Sequence, residues 1–237
     1  MYNLVIQRLS FKLTMRCFLC HMPLKLPFHG ICSQCLANLP KLGKVCRQCG
    51  LPHALNNTRC YRCHKKPNHW DELIAVSDYV YPLKKMIPEF KFHRKLELTV
   101  PLARLMFLAW YQRRLQFGII KPDIMTCVPL HPIRYWSRGF NQAERLAKPL
   151  AKWINRDFYP HLLYRHAMRR DQKRLTKHLR ELNVKTLFGC DKDLTGKSIL
   201  LIDDIVTTGH TINAISYLLK KQGASYVQII CLCRTVL

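Results

Sequence analysis

An α/β fold, a parallel sheet flanked by helices with a small cysteine-rich segment ahead of it, is predicted by three observations. From Trp70 onward, short apolar runs of strand length alternate with stretches whose apolar residues recur at three-to-four spacing. The apolar run 199–202 ends abruptly in two carboxylates and a small-residue turn that opens a helical pattern. Between Cys17 and Cys63, eight cysteines form four CxxC pairs, with little periodicity around them.

The elements follow in order. Residues 73–80 alternate as a strand does, and residues 82–92 and 96–115 read as helices. Residues 124–128 form a short buried strand that runs into Pro129-Leu130-His131-Pro132, where two prolines predict a rigid loop. A helix over 140–153 follows Arg138-Gly139. Then come a strand over 162–166, a short helix over 176–182 and a last strand over 225–233. Strands alternating with helices imply right-handed crossovers and a parallel sheet. The expected organisation is a leader segment over 1–15, a cysteine-rich metal-binding segment over 16–66 and an α/β domain over 70–237, joined at Lys65-Lys66-Pro67.

The 237 residues are 49% hydrophobic, enough to bury a core. No apolar run approaches the roughly 20 residues of a membrane helix, so no membrane insertion is expected. Arg8, Lys12 and Arg16 are scattered through an N-terminus without a small-residue cleavage site, so the expected location is cytoplasmic. The formal net charge of +25 exceeds what solubility needs and predicts an anionic partner.

The pairs Cys17/Cys20, Cys32/Cys35, Cys46/Cys49 and Cys60/Cys63 have the spacing of zinc knuckles, in which both sulfurs reach one Zn²⁺. Two structural Zn²⁺ sites are expected; redox CxxC chemistry fits four consecutive copies poorly. The gaps between pairs are nearly equal, so spacing leaves open a sequential and an interleaved use of the knuckles. The sequential ribbon is the expectation, because each closes a short loop at low entropy cost. Cys127, Cys190, Cys231 and Cys233 read as small buried hydrophobes.

Asp203 and Asp204 end the 199–202 strand, where ligands of open α/β sheets bind. Thr207, Thr208, Gly209, His210 and Thr211 then form a hydroxyl-rich turn at a helix N-terminus, the arrangement of a phosphate cradle. Paired carboxylates repel phosphate but accept hydrogen bonds from vicinal hydroxyls or hold Mg²⁺, so a ribose 5-phosphate meets both demands. An ordinary strand-turn-helix with capping aspartates is the plain alternative. Gly196-Lys197-Ser198 imitates the end of a P-loop, but it precedes the strand and Asp191 stands where the first glycine belongs.

This stretch resembles the phosphoribosyl pyrophosphate (PRPP) motif of type I phosphoribosyltransferases. The resemblance implies that fold, with Asp203 and Asp204 on the ribose hydroxyls, residues 207–211 on the 5-phosphate, and Mg²⁺ arriving with PRPP. His210 stands where that family usually has a small residue.

A second constellation starts after the 124–128 strand. Pro129, Leu130 and His131, then Arg134, Arg138 and Gly139, can present guanidiniums and backbone N–H groups to a pyrophosphate. The run VPLHPIRYWSRGFNQA resembles the signature of the ComF family, whose members join zinc ribbons to a phosphoribosyltransferase domain. Lys91-Phe92-His93, Asn183-Val184 and Phe188 match further blocks of that family, and the similarity spans about residues 16–237. Residues 165–180 carry seven Lys or Arg and one Asp. A solvated charged face is the plain reading. The resemblance instead implies a basic, mobile hood, with Arg170, Gln172 and Arg180 as candidate contacts to pyrophosphate or an extended polyanion.

The ComF family includes competence proteins needed for DNA uptake in natural transformation and a relative linked to gluconate use. The resemblance therefore implies a competence-associated, PRPP-binding protein that engages single-stranded DNA, with helicase-like or recombination-mediator proteins as partners. Catalysis, if it follows the type I family, transfers ribose 5-phosphate from Mg²⁺-PRPP through positioning and charge stabilisation. A glutamine amidotransferase is not expected, because the early cysteines are committed to knuckles. The alternatives are an active phosphoribosyltransferase of nucleotide metabolism and a non-catalytic DNA-binding adaptor, for which Tyr135, Trp136 and Phe140 are candidate stacking residues.

Overall fold

The computed structural model describes residues 16–26, 29–55, 58–166 and 187–235. The expected leader over 1–15 and the helix over 176–182 lie outside the described residues. The chain divides into two compact units, Met1–Leu39 and Pro40–Leu237.

The smaller unit is built around sulfur. A bridge joins Arg16 to Pro23, and the short helix α1 (Ser33–Ala37) starts at Cys32, whose side chain accepts the Cys35 N–H. Among its described residues, Leu24 and Ile31 are the buried aliphatic side chains. What links the four cysteines therefore contributes to holding these residues together.

In the larger unit the strands are β1 (Glu72–Ser77), β2 (Ile124–Cys127), β3 (Tyr164–Arg165), β4 (Phe188–Gly189), β5 (Ser198–Ile202), β6 (Ile205–Val206) and β7 (Tyr226–Arg234). The helices are α2 (Tyr61–Lys65), α3 (Leu83–Phe92), α4 (Thr99–Phe117), α5 (Pro132–Arg138), α6 (Gln142–Ile154) and α7 (His210–Lys221). The main sheet runs β1-β7-β5-β2, with β6 also on β7, and every pairing is parallel. Parallel strands covered on both faces read as continuous apolar runs, which is why SILLI is buried at all five positions. Ile199 and Leu201 join Ile212, Ile215 and Leu219 of α7 in one core. The alternate residues turn to the opposite face, where α4 and α6 pack against each other and the sheet.

Several expectations change, and the expected 73–80 strand ends at Ser77. The 162–166 strand shrinks to β3 and leaves the main sheet, pairing antiparallel with β4. The 96–115 helix divides into a 3₁₀ turn over Leu96–Leu98 and α4. The rigid loop after β2 becomes α5: Pro132 occupies its first turn, where a missing N–H costs nothing, and His131 caps it by accepting the Ile133 N–H at 3.2 Å. The following helix accordingly starts at Gln142 rather than 140, behind Asn141, whose Oδ1 accepts the Ala143 N–H.

The knuckle 46–50 belongs to this unit and lies along the sheet edge. The Leu73 N–H of edge strand β1 donates to Arg47 O at 3.0 Å. Gly50 has φ +69°, and a Cβ there would sit 2.6 Å from Leu73 Cδ2, so the close approach requires glycine. Beneath it Glu72, fully buried, meets Arg113 at 3.3 Å and Arg47 at 3.9 Å and accepts the Tyr226 hydroxyl at 3.2 Å. Burial raises the pKa of its carboxyl, against the pull of the two guanidiniums. Removing one partner of a buried ion pair strands the other. Glu72→Ala is therefore expected to destabilise the larger unit by about 3–5 kcal/mol in urea unfolding. Glu144→Ala, which removes the exposed Lys148 pair, should cost under about 1 kcal/mol.

Candidate functional site

The carboxylate pair sits where β5 leaves the sheet. The Asp203 N–H donates to Ile230 O and the Leu232 N–H donates to Asp204 O, both at 3.0 Å, so β7 fixes the backbone of both acids. Asp203 Oδ1 accepts the Asp204 N–H at 2.8 Å, and Asp204 Oδ1 accepts the Ile205 N–H at 2.7 Å. Each carboxylate is half-buried. Lys91, at the end of α3, pairs with Asp204 at 2.6 Å. Burial, and then the Asp204 carboxylate, push the Asp203 carboxyl up to about 8; the Asp204 N–H and Lys91 oppose them.

Beyond the acids, β6 leads into the turn 207–211. Thr207, Thr208, His210 and Thr211 are exposed and Gly209 is buried. Gly209 is the N-cap of α7 at φ +82° and has no side chain to cap it, while Thr208 Oγ1 accepts the His210 N–H at 3.4 Å. A helix N-terminus carries partial positive charge on its first-turn N–H groups, here beside the exposed hydroxyls of Thr207, Thr208 and Thr211. The His210 ring is exposed.

The second constellation starts beside the first. Cys127 is paired with Ile202, and the Val128 N–H donates to Ile202 O at 2.9 Å, so Pro129 and Leu130 leave the sheet next to Asp203. Asn141 holds the return of this segment by donating to Val128 O at 3.0 Å. Arg134 and Gly139 are exposed. The Arg138 guanidinium stacks 4.9 Å over the Phe92 ring and feels the charges of Asp204 and Arg134. His131 is occupied as the cap of α5. Of the stacking candidates, Tyr135 and Trp136 are exposed, Trp136 at 86%, whereas Phe140 is buried against Phe90 at 5.6 Å and is withdrawn. Arg170, Gln172 and Arg180 lie outside the described residues.

Sequence reasoning missed the role of Lys91. Nothing in a helical Lys-Phe pair points to a carboxylate more than 100 residues away.

The cysteines form two groups, Cys17, Cys20, Cys32, Cys35 and Cys46, Cys49, Cys60, Cys63, with all ligand atoms of a group within 4.8 Å of one another. The knuckles are thus used in sequence. Four sulfurs at about 2.3 Å from one Zn²⁺ form a tetrahedron with edges of about 3.8 Å. The Cys20–Cys32 and Cys49–Cys60 separations are 3.7 Å and 3.8 Å. Cys46 Sγ also accepts the N–H groups of Cys49 and Cys60 at 3.5 Å and 3.2 Å. The Cys49 thiol, and then N–H donors, hold the Cys46 pKa down to about 4, while burial and the Cys46 charge push Cys63 up to about 12. A nearby cation allows all four thiols to ionise together, so either group could bind Zn²⁺.

The parallel sheet, with an acid pair at a strand end and a helix N-terminus after it, has the fold of the type I phosphoribosyltransferases. A family model described as "Phosphoribosyl transferase domain" matches residues 164–235. DNA utilization protein YhgH of Salmonella typhimurium is 40% identical over 220 residues, covering 93% of this chain and 97% of its own. Competence protein F of Haemophilus influenzae is 31% identical over 217 residues, covering 90% of this chain and 94% of its own. The chain belongs to this ComF family. A purine phosphoribosyltransferase structure from Pyrococcus horikoshii aligns with a TM-score of 0.35 at 16% identity, over 56% of this chain and 72% of that one.

The raised Asp203 pKa has a sign that can be checked. Between the unfolded carboxyl near 4 and the folded value about 8, the folded chain keeps a proton that the unfolded chain has released. Its contribution to stability is complete below the lower value and is lost as pH rises through the upper one. Between pH 6.5 and 8, Asp203→Asn is expected to flatten the fall of folding stability by about 1 kcal/mol per pH unit, measured by urea unfolding of Zn²⁺-saturated protein.

Proposed function

We propose that this chain serves competence or DNA utilization, the roles its relatives are named for, by binding PRPP at the end of β5 and engaging DNA through its basic surface. The observation that carries the ligand is the juxtaposition of Asp203 and Asp204 with the N-terminus of α7, which begins at a glycine N-cap. In this reading the acids accept hydrogen bonds from the ribose hydroxyls, and Thr207, Thr208, Gly209, His210 and Thr211 hold the 5-phosphate. Arg134, Arg138 and the backbone of 129–131 and 139 face the pyrophosphate, whose Mg²⁺ arrives with the ligand. Two Zn²⁺ fill the cysteine groups as structural ions. Reduced thiolates of this kind persist in the cytoplasm.

Lys91 gives the site a resting state. In the free protein its ammonium neutralises Asp204 at 2.6 Å, so an acidic pair can wait beside an anion cradle without repelling the approaching ligand. Calorimetry with Mg²⁺-PRPP should give binding by the wild-type chain and at least ten-fold weaker binding by the Asp203→Asn/Asp204→Asn double variant. Equal affinity in the two would remove PRPP from this site.

DNA engagement draws on the charge of +25 and on the exposed Tyr135 and Trp136 beside Arg134. Each neutralised phosphate releases counterions, so affinity for a single-stranded oligonucleotide should fall steeply and linearly in log[salt]. Trp136→Ala should weaken binding several-fold without changing that slope. A salt-independent affinity, measured by fluorescence anisotropy, contradicts this part of the reading.

A further inference from the structure

The ribose-phosphate reading leaves unexplained a pair of contact paths that run from the second cysteine group to the 207–211 turn. One goes through Trp70, which is 3% exposed. Its indole N–H donates to Gln48 O inside the knuckle, and Gln48 Nε2 donates back to Trp70 O at 2.8 Å. The ring then packs on Gly209, where an added Cβ would stand 3.1 Å from its Cη2. Because Gly209 is the N-cap of α7, the indole limits where the turn can sit.

The other path goes through Arg234, the last residue of β7, which is 4% exposed. Its Nε donates to Cys49 O at 2.9 Å. Its Nη1 donates to Val206 O at 3.2 Å, to Thr235 O at 2.8 Å and to Thr207 O. One guanidinium thus ties the carbonyl of a metal-ligand candidate to the first residue of the anion turn.

Charge gives the connection a direction. The acceptors of Arg234 are neutral carbonyls, and among the described residues no carboxylate pairs with it. A buried guanidinium needs a counter-charge. A Cys46, Cys49, Cys60, Cys63 group filled with Zn²⁺ carries four thiolates against two positive charges, a net of −2, next to the Cys49 carbonyl that Arg234 holds.

We propose that the second cysteine group and the anion turn are energetically coupled, with Arg234 and Trp70 as positioning residues, so that metal binding and ribose-phosphate binding strengthen each other. When the metal leaves, the knuckle carbonyls of Gln48 and Cys49 lose their fixed places. Arg234 loses its counter-charge, and the turn loses two of the contacts that aim its N–H groups. Coupling of two binding equilibria is reciprocal, so ligand at the turn must also tighten metal binding. The inference rests on PRPP being the ligand of the turn.

The test uses the full chain carrying Cys17→Ser/Cys20→Ser, which empties the first group so that the remaining Zn²⁺ reports the second. Zn²⁺ release is measured at equilibrium against a competing colorimetric chelator, with and without saturating Mg²⁺-PRPP, alongside calorimetric PRPP affinity. The expected result is at least about five-fold tighter Zn²⁺ binding with PRPP. Arg234→Gln should abolish that protection and weaken PRPP binding, and Arg234→Lys should restore part of both. Trp70→Phe loses both the N–H to Gln48 and the far edge of the indole that packs on Gly209, and should reduce the protection if Arg234→Gln does not fold. PRPP binding with unchanged Zn²⁺ release overturns the coupling alone. Absence of PRPP binding by the wild-type chain overturns the coupling together with the ligand assignment.

Discussion

The backbone hydrogen bonding of β7 is the constraint on which the larger unit depends. This strand pairs with β1, β5 and β6, and eight of its nine residues are buried. Its middle accepts the Asp203 N–H and donates to Asp204 O, which fixes the backbone of both acids. Its end supplies Arg234. A one-residue slip in a parallel ladder moves every side chain to the opposite face. The continuous burial of β5 and β7 between two helical layers is therefore what keeps the acids, the turn and the knuckle in register.

The two cysteine groups share a ligand set and differ in what surrounds them. The first lies in the smaller unit, where Leu24 and Ile31 are the buried aliphatic side chains among the described residues. The second sits in the larger unit, with four consecutive residues, Arg47 to Gly50, engaged with the sheet and its flanks. There it also covers the free edge of β1, which as an exposed edge strand could pair with another chain. A metal site in that position acts on the fold beyond its own loop. The surplus positive charge of the chain is partly offset there as well, since each filled group adds two negative charges.

Much of this was legible in the amino-acid sequence because the determinants are local. Ile199 to Thr211 carries its strand, acids, turn and helix start in one continuous stretch, and sequential use of the knuckles follows from short loop closure. The helix α5 was hidden because His131-Pro132 fits both a rigid loop and a helix start, and only the cap on Ile133 decides between them. Strand β6 was hidden because two residues after a pair of aspartates show no period. Contacts that depend on distant partners were beyond any local pattern: Lys91 with Asp204, Arg47 with Tyr226, Arg234 with Cys49.

An amide-resolved NMR titration with ribose 5-phosphate tests the central claim most directly, since it observes the proposed ribose and phosphate contacts without requiring any reaction. The account predicts that the largest and saturable shifts fall on the amides of 207–211 and on Asp203 and Asp204. Smaller shifts should reach Trp70, and the Asp203→Asn/Asp204→Asn variant should lose them. Shifts confined to exposed lysines and arginines away from β5 and α7, unchanged in that variant, would contradict it.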